Sequence, residues 1–125
     1  MKKVSFDFDN TLDFDIVQDF ALSLIKDGID VWIHSARFEE SDIRPKWNDD
    51  IFKVVDKLGI PRHNIILTGM FDKYIFLENE NFIWHLDDKK LECNAITERT
   101  NTIGVHFNKY DKNMEWKDKC VKLLK

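Results

Sequence analysis

VSFDFDNTLD, residues Val4 to Asp13, poses the question that decides the fold of this chain. Its Val and Phe positions read as a strand diving into a core. Two carboxylates, Asp7 and Asp9, stand where that strand would end. Burying a carboxylate without compensation costs several kcal/mol, and two held close together repel each other. Such a strand needs cationic partners from elsewhere in the chain.

Outward from this run, strands and helices alternate. Lys3 to Phe8 reads as the first strand. Ile16, Val17, Phe20, Ala21, Leu24 and Ile25 recur at helical spacing, and Gly28 supplies a stop. Asp30 to His34 (DVWIH) gives a second strand. Asn48 is placed to cap a helix with apolar positions Ile51, Val54, Val55 and Leu58, ended by Gly59 and Pro61. Asn64 to Thr68 (NIILT) is a third strand, Lys73 to Leu77 a short helix, and Phe82 to Leu86 (FIWHL) a fourth strand. A helix over Lys89 to Ile96, a fifth strand over Thr102 to Phe107 and a helix from about Met114 complete the series. This alternation predicts βαβ units and a parallel sheet covered on both faces, and right-handed crossovers make it doubly wound.

The 125 residues fit one domain, 1–125, and 43% hydrophobic with 34% charged residues supports a packed core. A formal net charge of −4 argues against broad, sequence-independent attraction to nucleic acid. No run approaches the roughly 18 apolar residues of a membrane span, and no apolar leader follows the first lysines. Cys93 and Cys120 have no metal or redox spacing. Two reduced thiols and a cytoplasmic address are the expectation.

In doubly wound sheets ligands sit beyond the carboxyl ends of the strands. Here those ends carry Asp7 and Asp9, Ser35-Ala36-Arg37, and Asp87-Asp88, with Lys73 at a helix start just after the third strand. A cluster of oxygen donors suits a hard cation that keeps some of its water, which describes Mg²⁺.

FDFDNTL, a strand-terminal Ser-x-Arg, a lysine and an Asp-Asp pair after FIWH resemble, in this order, the four motifs of the haloacid dehalogenase superfamily of phosphotransferases. The resemblance implies a three-layer Rossmann-like α/β fold with a five-stranded parallel sheet of order 5-4-1-2-3. It also implies a phosphatase in which Asp7 is the nucleophile, forming an aspartyl-phosphate, and Asp9 the general acid and base. Mg²⁺ would be held by the Asp7 side chain, the Asp9 backbone carbonyl and Asp87, with Asp88 in support. Ser35 would bind the phosphoryl oxygens, and Lys73 would neutralise charge, with Lys89 the other lysine at hand. Thr11 would brace the turn.

Two connections, Asp9 to the first helix and Thr68 to Lys73, are too short to hold a cap domain, so a capless, open site is expected. The long connection from Arg37 to Asp49 carries Arg44, Lys46 and Trp47. The short layout and LDDK are similar to the phosphatase module of polynucleotide kinase-phosphatases. A nucleotide, an oligonucleotide 3′ phosphate or a small phosphate ester is therefore the expected substrate, with Asn10, Arg37 and Trp47 as candidate contacts. Arg37 reads equally as an ion-pair partner of Glu39 or Asp42, and Trp47 as a staple for the second helix. His34 and His85 read as packed, hydrogen-bonded strand residues, and His106 as a strand-end residue without a partner. Two other functions share these features, a phospho-accepting receiver-like module and a non-catalytic phosphate-binding protein.

Overall fold

Val4, Ser5 and Phe6 are fully buried in the computed structural model, which describes residues 1–125. The reason is position: β1 (Lys3–Phe6) is the middle strand of a five-stranded sheet. β2 (Asp30–Ser35) and β4 (Phe82–Asp87) flank it, and β3 (Ile65–Leu67) and β5 (Ile103–His106) are the edges. All pairings are parallel. The order β3-β2-β1-β4-β5 is the expected 5-4-1-2-3 read from the other edge. Parallel strands require crossovers, supplied by α1 (Asp15–Lys26), α2 (Asp49–Leu58), α3 (Lys73–Leu77) and α4 (Lys90–Arg99), with α5 (Glu115–Leu123) last. No helix is long and apolar enough to cross a membrane.

Two apolar layers of unequal size hold the helices on. Phe6 and Trp84 on the sheet, Phe20 on α1, Ile51 and Val55 on α2, and Trp116 on α5 belong to the larger one. Its rings meet edge to face, Phe6 with Trp84 at 5.3 Å and Phe107 with Trp116 at 5.0 Å between centroids. Such pairs add roughly 0.5–1.5 kcal/mol each beyond the area they bury. Leu77, Phe82 and Ile96 form the smaller layer under α3 and α4, flanked by Trp32 and Tyr74.

A bulge in β4 serves both layers. Lys3 pairs with Phe82 and Ser5 with His85, so three steps along β4 match two along β1. Ile83 and Trp84 can then both pack toward the larger layer, while Phe82 lies in the smaller one and His85 meets Ser5.

The expected elements are all present, with shifted ends. β1 stops two residues early because the chain leaves the sheet at Asp7 and makes one wide turn over Phe8–Leu12. The Leu12 N–H donates to the Asp7 carbonyl at 3.2 Å and the Asp13 N–H to the Phe8 carbonyl at 3.2 Å, with Asn10 left-handed at φ 60°. β2 and β4 each run one residue further than expected, carrying Ser35 and Asp87 to the sheet's rim. β3 is shorter than expected at both ends, and α4 continues to Arg99. Ile16 is 47% exposed rather than part of the buried face of α1. Asn48 precedes α2 as expected but does not cap it with its side chain. Its Nδ2 instead donates to the Phe38 carbonyl at 3.0 Å, tying down the 37–49 connection.

Candidate active site

Lys73 answers the question raised by the paired acids. Its Nζ donates to Asp7 Oδ1 at 2.8 Å and to Asp87 Oδ2 at 2.6 Å. All three side chains are buried. β1 and β4 are neighbours in the sheet, so Asp7 and Asp87 emerge side by side, and α3 begins with Lys73 above them. The Lys73 N–H is anchored in turn by Glu92 Oε1 on α4 at 2.9 Å. The other lysine, Lys89, contributes only its backbone N–H, which donates to Asp87 Oδ1 at 3.0 Å.

Charge is distributed unevenly over the acids. Burial acts to raise the Asp87 carboxyl, but the hydrogen bond from His85 and the ammonium of Lys73 outweigh it and hold Asp87 below the usual carboxylate range. Asp7 moves the other way, pushed well above that range by burial, opposed by Lys73 and reinforced by the Asp87 charge. Asp88 is also raised, by burial first. For Lys73, burial works against the ammonium, and Asp7 and Asp87 overcome it, so its titration lies above the ordinary lysine value.

These groups fit a divalent cation. Carboxylate oxygens of Asp7, Asp87 and Asp88 lie within 4.8 Å of one another, and only one ammonium faces them. Asp88 Oδ1 is buried with no hydrogen-bond partner, an acceptor awaiting a positive group. An all-oxygen donor set of this kind suits Mg²⁺ better than a softer metal.

Asp9 stands outside that trio. Arg37 grips it bidentately, Nε to Oδ2 at 3.0 Å and Nη2 to Oδ1 at 2.6 Å. The same guanidinium holds Asp50 of α2 at 2.6 and 2.8 Å and donates to the Trp47 carbonyl at 3.3 Å. All five of its N–H groups are thereby engaged. Hydrogen bonds that Arg37 donates to Asp50, then to Asp9, raise it above its ordinary value, and Arg37 holds Asp50 below the usual carboxylate range. The acidic partners are thus Asp9 and Asp50, not the expected Glu39 or Asp42, because the connection folds Arg37 back across the site.

Other expected residues take their places around this centre. Ser35 is buried at the end of β2, its Oγ accepting the Arg37 N–H at 3.2 Å. Thr11 Oγ1 donates to Asp7 Oδ2 at 3.4 Å across the turn. Asn10 lines a cavity of about 290 Å³ with Asp88, His106, Lys109 and Tyr110. Trp47 is half exposed rather than packed as a staple, with the Arg44 guanidinium 5.5 Å from its ring centroid. His106 does have a partner: its Nε2 lies 3.0 Å from the Asp88 carbonyl oxygen.

His34 and His85 are packed, hydrogen-bonded strand residues as expected, but sequence reading missed Ser5, which joins them beneath the acids. Ser5 Oγ lies 2.7 Å from His34 Nδ1 and 2.7 Å from His85 Nδ1, and His85 Nε2 is 2.8 Å from Asp87 Oδ2. A signal existed: three polar residues interrupt three apolar strands that the expected order makes adjacent.

No family model matches the chain, and neither the curated proteins nor the solved structures provide a match.

Proposed function

We propose that this chain is a Mg²⁺-dependent phosphomonoester hydrolase of haloacid dehalogenase type, working through an aspartyl-phosphate on Asp7. The observation that carries the reading is Lys73 bridging Asp7 and Asp87 at 2.8 and 2.6 Å, with Asp88 alongside. An oxygen of Asp7 attacks phosphorus while the ester P–O bond breaks, and Asp9 gives its proton to the leaving oxygen. A water then returns that proton to Asp9 and attacks the phosphorus. The acyl–phosphate bond breaks, releasing inorganic phosphate and the Asp7 carboxylate. Lys73 neutralises charge on nucleophile and phosphate, and Ser35 offers a hydroxyl to the phosphoryl oxygens. Asp7, Asp87, Asp88 and the Asp9 carbonyl would hold the cation, which would supply charge neutralisation for the transferring phosphoryl group.

The substrate reading is a nucleotide, an oligonucleotide 3′ phosphate or a small ester, supported by the half-exposed Trp47 with Arg44 over its ring. A receiver-like module fits less well. Such sheets run 2-1-3-4-5, whereas here β3 is an edge strand followed by Thr68 rather than by a carboxylate. The test is hydrolysis of p-nitrophenyl phosphate with Mg²⁺. Turnover that needs the metal and disappears in Asp7→Asn supports the reading; undiminished turnover in Asp7→Asn rejects it.

A further inference from the structure

We infer that Ser5 and His85, with His34 behind them, form a one-directional hydrogen-bond chain that fixes the Asp87 carboxylate for cation binding; the inference rests on the metal-site reading above. The direction follows from proton counting. Asp87 Oδ2 already accepts from the Lys73 ammonium and Oδ1 from the Lys89 N–H, so the His85 Nε2 atom 2.8 Å away carries the hydrogen. His85 is fully buried between one acceptor, Asp87 Oδ2, and one hydroxyl, Ser5 Oγ, so the Nε2–H tautomer meets both contacts with a single hydrogen. Its Nδ1 is therefore bare and accepts from the Ser5 hydroxyl at 2.7 Å. Ser5 has one proton, now used, so its oxygen must accept the second contact, from a hydrogen on His34 Nδ1 at 2.7 Å. His34 is neutral too, by burial, which leaves its Nε2 bare. His34 lines a groove of about 310 Å³ with Trp32, Ile66, Ile75 and Phe82.

Acceptance by one carboxylate thus selects the tautomer of two histidines, His85 on its own strand β4 and, through Ser5 on β1, His34 on β2. In return, Asp87 gains a fixed orientation. Oδ2 accepts from both His85 and Lys73, and Oδ1 accepts from the Lys89 N–H. Turning the carboxylate would break three hydrogen bonds in a dry environment, so it is held facing Asp7 and Asp88 before any cation arrives. The β4 bulge makes this possible, since it brings His85 level with Ser5. Ser5, His85 and His34 are positioning residues: none of them is among the carboxylates that would hold the metal.

Two measurements test this on the full chain. Long-range ¹⁵N–¹H spectra without added metal should show His85 protonated at Nε2 and His34 at Nδ1. In Ser5→Ala, His34 should lose its Nδ1 preference; the opposite tautomers in wild type, or no change in Ser5→Ala, would overturn the inference. Calorimetric titration with MgCl₂ alone should show about 10- to 100-fold weaker binding in His85→Leu, with partial recovery in His85→Gln, whose amide can donate to Asp87. Equal Mg²⁺ affinity in wild type and a folded His85→Leu would refute the positioning role and leave the phosphatase reading standing. Tight Mg²⁺ binding that depends on His85, without phosphate-ester turnover, would do the reverse.

Discussion

Arg37 holds Asp9 with two parallel hydrogen bonds, of 3.0 and 2.6 Å, and reaches no other part of the acidic centre directly. With its remaining donors on Asp50 and Trp47, it fastens the proposed proton-transfer group to the first turn of α2. A lysine cannot reproduce a fork that serves two carboxylates. Arg37→Lys should therefore lower kcat for p-nitrophenyl phosphate by about 10-fold or more, within the range that general acid–base catalysis contributes. KM should change far less. Steady-state kinetics read both; a rise in KM alone would instead mark Arg37 as a substrate contact.

Lys73 neutralises buried charge, so its removal should be costly even without substrate. Breaking a buried ion pair from one side typically costs about 3–5 kcal/mol. Lys73→Met should lose stability of that order in urea unfolding at pH 8. The loss should shrink as the pH is lowered, because protonation of Asp7 relieves the uncompensated charge.

Asp7 is the opposite case. Its carboxyl titrates well above the unfolded value of about 3.9 because burial, with the Asp87 charge, disfavours ionisation. A group raised on folding gives its full contribution below the unfolded pKa and loses it as pH rises through the folded one. Metal-free protein should accordingly weaken from pH 4 upward. Asp7→Asn should flatten that trend and add about 1 kcal/mol at pH 8, the usual gain when a strained functional group is removed. Added Mg²⁺ should raise the melting temperature of wild type by mass action, and much less that of Asp7→Asn.

Gly104 is where α4 comes closest to β5. A Cβ there would overlap the Cys93 carbonyl oxygen and lie 2.5 Å from the Cys93 Cα, both backbone atoms that cannot step aside. Gly104→Ala should cost about 3 kcal/mol or more, visible as a drop in melting temperature. Magnesium binding should weaken with it, since Glu92, next to Cys93 on α4, holds the start of α3 at Lys73.

Cys93 lies under Asp87, its thiol donating to the Asp87 carbonyl at 3.6 Å. Burial first, and then the Asp87 charge, push it up to about 12. Almost no thiolate exists at pH 8, so alkylation by iodoacetamide should require unfolding. The same shift makes the thiol contribution to stability complete below the unfolded value of about 8.5 and progressively lost as pH rises from there toward 12.

How much of this was legible in the sequence depended on what each feature needed. Helical and strand periodicity is local, so every element was visible, whereas the neighbours of β1 came from the family resemblance and not from the crossovers, which more than one strand order satisfies. Asp7, Asp87, Asp88 and Lys73 lie at element ends, where neighbouring strands deliver them together without knowledge of register. The Ser5–His85 contact depends on register and on a bulge, which alternation does not reveal. Arg37 misled because nearby acids were plentiful, and its partners Asp9 and Asp50 come from the far side of a turn and from another helix. Asn48 read as a cap on residue type alone, and the loop's own carbonyl at Phe38 competed for its amide.

The extra residue in β4 also bears on how related chains can differ in length. Elsewhere in a buried strand, losing one residue turns every later side chain to the opposite face. Between Phe82 and His85 the count is already odd, so dropping Ile83 would return β4 to regular alternation with Phe82 and His85 still on one side. This segment should therefore tolerate the loss of one residue better than the regular part of the strand. Descendants of this chain could shorten there, giving up one aliphatic contact, and inherit the orientation of His85 and Asp87 intact.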